Sequence, residues 1–123
     1  MSISKEYQNK IIKVLLEEIA EISNKEHQKK IWVPQGPDFD EIINCLADII
    51  EPILEKHKKY QLSEDRYELL VKFYKEFKNF SDYAKKNDYN YYYLYGFLDT
   101  PEWAKVMDTA KEVLQAFNYK SED

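Results

Sequence analysis

Glycine is scarce in this sequence, since only Gly36 and Gly96 occur among 123 residues. Loops that cradle phosphate groups need several glycines close together, so the P-loop and the dinucleotide-binding fingerprint are both excluded. Two-residue hairpin turns also depend on glycine, so the chain has few places to fold one strand back on another. The shortage of glycine therefore favours helices over hairpins and argues against nucleotide chemistry.

Residues that could bind a metal are equally few: Cys45 is the only cysteine, and His27 and His57 are the only histidines. One cysteine makes no internal disulfide, and these three residues are too scattered for a structural zinc site, which indicates a reducing compartment. Neither histidine follows a glutamate by three positions, and the His-Glu-x-x-His pattern is missing. We predict no cofactor, no metal and no enzymatic activity, with Cys45 an inert packed thiol.

Arginine is almost absent, because Arg66 is the only one among 18 basic residues, and the net charge is −5. Arginine makes the bidentate phosphate and guanine contacts that lysine cannot make, so this composition disfavours a nucleic-acid partner. The frequent carboxylates lie at helix starts or among lysines, as on the run Glu17, Glu18 and Glu21. We interpret them as solvated charge rather than as acid–base machinery.

No apolar run approaches the length of a bilayer-spanning helix, so no membrane partner is predicted. The first residues also lack the basic-then-apolar pattern of a secretory signal. Together with the single cysteine, these features predict a cytoplasmic location, in a bacterial, archaeal or infected-host cell.

Four segments carry apolar residues at spacings of three and four, the pattern of amphipathic helices. They span residues 5 to about 29, about 38 to 60, 63 to about 86 and about 100 to 117, and Ser4, Asp38, Ser63 and Asp99 or Thr100 are the predicted N-caps. We predict an all-α bundle and a single domain over 1–123, frayed at 1–4 and 118–123. The predicted buried residues are Tyr7, Ile11, Val14, Leu15, Ile19 and Ile22 in the first helix; Phe39, Ile42, Ile43, Leu46, Ile50, Ile53, Leu54 and His57 in the second; Leu70, Phe73, Phe77, Phe80 and Ala84 in the third; and Trp103, Val106, Met107, Ala110, Val113, Leu114 and Phe117 in the last.

Three stretches interrupt this pattern. Pro34, Gly36 and Pro37 predict a non-helical linker over 31–37, because a residue before proline prefers an extended conformation. Pro52 lies inside the second helix and predicts either a kink near residues 48–52 or two short helices. The aromatic run 89–98 could be a strand, but a strand would have no partner here, so a short helix from Asn90 to about Phe97 is preferred.

The tyrosine-rich run also supplies the candidate binding residues. Five tyrosines within seven residues cannot all face inward on one element, and tyrosine is enriched at protein interfaces. The alternative is that they cover the end of the bundle with their hydroxyls in water. Trp32 could likewise anchor a partner or close the core, and two acids would form a negative rim. The predicted partner-binding residues are Tyr89, Tyr91, Tyr92, Tyr93, Tyr95, Trp32, Asp88 and Asp99.

A small acidic helical domain without a catalytic motif favours stoichiometric protein binding as its function. We predict an inhibitor or neutralising partner of the toxin-immunity, antitoxin or viral anti-defence type, docking on a basic toxin or nuclease. A structural or oligomerisation accessory protein is the alternative, and a small regulatory nucleic-acid binder is the third hypothesis. The third hypothesis requires a basic helix face. Lys72, Lys75, Lys78, Lys85 and Lys86 come nearest to one.

Overall fold

The computed structural model describes residues 4–36, 38–86 and 95–120 of the chain, and within these ranges it is helical and contains no strand. Four main helices make the bundle: α1 (Lys5–Ile22), α2 (Phe39–Glu55), α3 (Glu64–Lys85) and α4 (Pro101–Ala116). Helix α4 packs against α3 and α1, and α2 packs against α1 and α3. The prediction of an all-α bundle is confirmed.

Most predicted helix starts are also confirmed. At three of them a hydroxyl oxygen accepts the backbone N–H of the residue three positions later, which satisfies one of the free donors of the first turn. These caps are Ser4 (3.2 Å), Ser63 (3.3 Å) and Thr100 (3.3 Å). Asp38 occupies the N-cap position of α2, but its side chain makes no capping hydrogen bond.

The core is rich in aromatic rings. Every residue of the predicted α3 stripe, from Leu70 to Ala84, is buried. Phe39 at the start of α2 and Trp103 at the start of α4 meet the α3 phenylalanines, with Phe39 to Phe77 at 5.9 Å and Phe80 to Trp103 at 5.1 Å between ring centroids. Both spacings lie in the range of favourable edge and offset ring pairs. Aromatic packing therefore joins α2, α3 and α4.

The connection between α1 and α2 differs from the prediction of a non-helical linker. It consists of three short helical pieces, an α-turn at Lys25–His27, a π-helical turn at Gln28–Trp32 and an α-turn at Val33–Gln35. Val33 precedes a proline and still has helical angles, φ −66° and ψ −51°. Pro34 lies in the first turn of its short helix, where no backbone N–H is needed, so the ring fits.

Gly36, which precedes Pro37, has the predicted extended backbone, with φ −71° and ψ 159°. A Cβ atom at this position would lie 1.8 Å from the carbonyl oxygen of Trp32. The connection can therefore close over Trp32 only because residue 36 has no side chain.

The structure tests the prediction for Pro52 and part of the prediction for the aromatic run 89–98. Helix α2 runs unbroken through Pro52, and the Pro52 carbonyl accepts the N–H of Lys56 at 3.1 Å, so the alternative of two short helices is wrong. Of the predicted short helix, residues 90–94 lie outside the described residues. Residues 95–97 begin a turn instead, in which the Leu98 N–H donates to the Tyr95 carbonyl at 3.3 Å. Tyr95 has a φ of 59°, which is unusual for a bulky residue.

Candidate interaction surface

The predicted partner-binding residues are distributed over the core, the surface and a stretch outside the described residues. Trp32 is 3% exposed and Tyr95 is 6% exposed, and their ring centroids lie 5.6 Å apart. Their burial favours the alternative in which Trp32 closes the core. Residues 87–94, which include Asp88, Tyr89 and Tyr91 to Tyr93, lie outside the described residues, so their role stays a prediction.

Asp99 is the one predicted acid that the structure describes, and it is well exposed. Its carboxylate lies 3.2 Å from the Lys25 ammonium and 3.4 Å from that of Lys29. The hydrogen bond from Lys25 and the charge of Lys29 lower the pKa of Asp99 below its usual value. Asp99 therefore fastens the turn before α4 to the α1–α2 connection, rather than standing as an unpaired negative rim.

Gln28 was not singled out by sequence reasoning, yet its side chain is fully buried. The Gln28 amide nitrogen donates to the carbonyls of Glu21 at 3.0 Å and Ile22 at 2.9 Å, and its amide oxygen accepts the indole N–H of Trp103 at 2.9 Å. In the sequence this glutamine lies in a polar run with no periodicity, so no signal marked it. Its hydrogen bonds lead to other protein groups, which makes Gln28 a structural link between α1 and α4.

Cys45 is exposed, so the prediction of a packed thiol is wrong. Its neighbour Leu46 takes the core position, and successive residues on a helix point about 100° apart. Partial burial raises the pKa of the Cys45 thiol, and the carboxylates of Glu18, Asp48 and Glu41 raise it further. A thiol that stays protonated is a weak nucleophile, so these carboxylates work against catalysis by Cys45.

Each of the two histidines lies beside an aromatic ring. The His57 ring stacks on Tyr67 with 3.8 Å between centroids, and His27 lies edge-on to Trp32 at 6.4 Å. Within the described ranges, no three side chains of the metal-ligating types come together in a group that could hold an ion.

Helix α1 exposes part of its predicted buried stripe. Leu15, Ile19 and Ile22 are buried as predicted, but Tyr7 is 53% exposed and Val14 is 42% exposed. The predicted apolar stripe of α1 included residues from two neighbouring arcs of the helix surface. At 3.6 residues per turn, Tyr7 and Val14 share an arc of about 60° with Ile11 and Glu18, and this arc lies about 100° from the direction of Ile19. The core therefore covers one arc, and the other one faces outward.

The exposed arc of α1 lies beside α2. Near the start of α1, Tyr7 interacts electrostatically with Tyr60, whose pKa is raised mainly by burial. Near the end of α1, Glu18 interacts with Cys45 in the first half of α2. Since Tyr60 follows α2 in the chain, the start of α1 lies toward the end of α2, and the two helices run antiparallel. We define the α1–α2 face as Tyr7, Ile11, Val14 and Glu18 of α1 with Glu41, Cys45 and Asp48 of α2.

The carboxylates Glu18, Glu41 and Asp48 form no ion pair with the described lysines or arginine. Glu18 is half-buried, and burial together with the charge of Glu21 raises its pKa. In the part of the chain that the structure describes, no lysine or arginine lies within ion-pair distance of Glu18, Glu41 or Asp48. The face thus combines exposed apolar side chains with carboxylates that no basic side chain of the described ranges pairs with.

Comparison of the chain with protein-family models, with curated proteins and with solved structures found no match. No helix among the described residues has both the length and the apolar character needed to cross a membrane. The function must therefore be inferred from the α1–α2 face itself.

Proposed function

We propose that this protein acts by stoichiometric binding to another protein, as an inhibitor or neutralising partner, and that the α1–α2 face is its contact surface. The observation that carries the proposal is the exposure of Tyr7 and Val14 on one arc of a regular helix, beside half-buried Ile11. Exposed apolar patches commonly mark interaction sites. Tyrosine offers a large contact area with few rotatable bonds, so it loses little entropy on binding.

The charge of the α1–α2 face supports a basic partner. Glu18, Glu41 and Asp48 lie close enough to act together on one thiol, and the whole chain carries a net charge of −5. Complementary charge speeds the encounter with a basic protein and disfavours acidic ones. A toxin, a nuclease or a nuclease-containing defence complex that must bind nucleic acid offers such a basic surface, in line with the immunity, antitoxin or anti-defence class.

Self-association is the alternative function, and the net charge of −5 argues against it, because two copies of the chain repel each other. Light scattering on a size-exclusion column is the direct check, and a monomer is expected.

The nucleic-acid hypothesis depends on the lysines of α3, and the structure shows partners for two of them. Lys72 lies 3.8 Å from the carboxylate of Glu112, and the Lys78 ammonium lies 5.5 Å from the centre of the Tyr74 ring. A phosphate backbone would have to compete with these contacts. This observation favours the protein-binding proposal over the third hypothesis.

The test compares two double variants on two different surfaces, each of which replaces one exposed tyrosine and one exposed valine by serine. Tyr7→Ser with Val14→Ser changes the α1–α2 face, and Tyr83→Ser with Val71→Ser changes similarly exposed residues of α3, which are 50% and 37% exposed. Wild-type protein and both variants are immobilised at equal density and used to capture proteins from a lysate of the source cells. The captured partner is then identified, and its affinity and stoichiometry with each purified protein are measured.

We expect a complex of defined stoichiometry with wild type and with the α3 variant. A binding hot spot of at least about 2 kcal/mol corresponds to about 30-fold weaker affinity for the α1–α2 variant. Circular dichroism must show that both variants keep their helical content. Equal affinity of the α1–α2 variant and wild type would reject this surface, and loss with the α3 variant alone would move the interface to α3.

A further inference from the structure

The dimensions of the α1–α2 face suit a helix. From Tyr7 to Glu18 the exposed arc covers eleven residue steps, which is about 16 Å at 1.5 Å per residue. Two antiparallel helices side by side leave a shallow groove between them, and a third helix of about three turns can lie along it. Laying an amphipathic helix in such a groove is a recurring mode of peptide recognition.

Acidic residues are most frequent at one end of this groove. The second half of α1 carries Glu17, Glu18 and Glu21, and the first half of α2 carries Asp40, Glu41 and Asp48. Because the two helices run antiparallel, these acidic halves lie at the same end. The opposite end is mixed in charge, with Lys5, Glu6 and Lys10 on α1 and with Glu51 and Glu55 on α2. A ligand lying along the groove therefore meets the largest group of carboxylates at the end of Glu18, Glu41 and Asp48.

We infer that the α1–α2 face binds a basic amphipathic helix of the partner protein. Apolar residues of that helix pack on Tyr7, Ile11 and Val14, and its lysines or arginines lie over Glu18, Glu41 and Asp48. This inference rests on the proposed function and specifies the partner segment. An extended peptide would need a sheet edge to pair with, and the described ranges contain no strand. A phosphate backbone would be repelled by the acidic end.

Cys45 provides a reporter for the acidic end, because it is the only cysteine and it is exposed among these carboxylates. The probe is a synthetic helical peptide of 14 residues with leucines at positions 1, 4, 5 and 8 and four lysines in its last turn. A matched peptide carries glutamate in place of each lysine. Peptide affinity is measured by fluorescence anisotropy, and the rate of Cys45 alkylation by iodoacetamide is measured with and without saturating peptide.

We expect the lysine peptide to bind, to slow alkylation of Cys45 at least about 5-fold, and to lose affinity as salt rises, since screening shortens the reach of exposed charges. The variant Glu41→Gln with Asp48→Asn should bind it about 10-fold more weakly. For comparison, Glu64→Gln with Asp65→Asn removes two exposed carboxylates from the first turn of α3 and should leave the affinity unchanged. The glutamate peptide should neither bind nor protect Cys45.

Equal binding of both peptides, or no protection of Cys45 by the lysine peptide, would overturn the inference. The proposed function has a separate test in the Tyr7 and Val14 variant and the natural partner. If that variant loses the partner while the lysine peptide fails, protein binding stands and the basic helix is wrong. If that variant keeps full affinity for the partner, the proposed function itself is wrong.

Discussion

Replacing Gln28 by leucine should destabilise the bundle strongly, although the change makes a polar residue apolar at a buried site. Leucine fills a similar volume but cannot donate or accept a hydrogen bond. The change therefore removes the two bonds to the end of α1 and the bond from the Trp103 indole. Gln28→Leu isolates the energetic value of the link between α1 and α4.

The magnitude follows from which groups lose their partner. The Glu21 carbonyl still accepts the N–H of Asn24 at 3.2 Å, so it keeps a hydrogen bond. The Trp103 indole N–H and the Ile22 carbonyl lose the bond that Gln28 makes with them, and a buried polar group left without a partner costs about 1–3 kcal/mol. The apolar contacts of leucine offset part of this cost, so we expect a loss of about 3 kcal/mol from a domain stability of about 5–15 kcal/mol.

The assay is urea unfolding followed by tryptophan fluorescence, with the free energy of unfolding taken from the midpoint at unchanged slope. The matched control is Gln115→Leu, an exposed glutamine of α4, which should change stability by less than about 0.5 kcal/mol. A double-mutant cycle with Trp103→Phe should show coupling of about 1 kcal/mol or more, because both single changes break the same bond. A loss below about 1 kcal/mol in Gln28→Leu, or additive effects in the cycle, would refute the reasoning.

Three further predictions concern the core, the connection and the acidic end of the α1–α2 face. Phe77→Ala should lower the free energy of unfolding by about 3–5 kcal/mol, because it leaves a cavity at the centre of the aromatic core; denaturant titration measures this. Gly36→Ala should lower the melting temperature, because the added Cβ would collide with the Trp32 carbonyl oxygen, whereas an unchanged value would show that the connection can shift. Glu18→Gln should stabilise the protein near pH 7. The pKa of Glu18 is raised in the folded state, so ionisation of this carboxyl lowers the stability of the wild type as the pH rises. The difference between variant and wild type should vanish below about pH 4, where Glu18 is protonated in both the folded and the unfolded state. The same variant should speed alkylation of Cys45, because one of the carboxylates that raise its pKa is removed.

The parts of the fold that depend on local sequence could be predicted. The α3 stripe repeats at three and four over five apolar residues with polar residues between them, so only one face could be buried. The N-caps Ser63 and Thr100 bind a backbone N–H only three residues away, so the local sequence is enough to predict them.

The parts that depend on distant neighbours could not be predicted. Tyr7 and Val14 recur at the same spacings as the buried residues of α1, and only the packing of the other helices decides which arc is covered. Gln28 finds its partner Trp103 at a separation of 75 residues, so nothing near it in the sequence marks it as buried. Val33 keeps helical angles against the bias imposed by Pro34, because the connection packs around Trp32.

The α1–α2 face could not be predicted either, because it is formed by residues that lie far apart in the sequence. Glu18, Glu41 and Asp48 each looked like ordinary surface charge, and an antiparallel arrangement was needed to bring them together. Cys45 was predicted to be a packed thiol, but it is exposed, and its pKa is raised by partial burial and by these three carboxylates.

The position of Trp103 has a consequence for how the chain is made. This residue lies at the start of the last of the four helices, yet its ring meets Phe39, Phe77 and Phe80 and its N–H completes the bonding of Gln28. A ribosome synthesises α1, α2 and α3 before α4, so the aromatic faces of α2 and α3 wait uncovered until α4 leaves the exit tunnel. The nascent chain therefore exposes the aromatic residues of α2 and α3 until α4 has emerged, and such a surface is the kind that recruits chaperones.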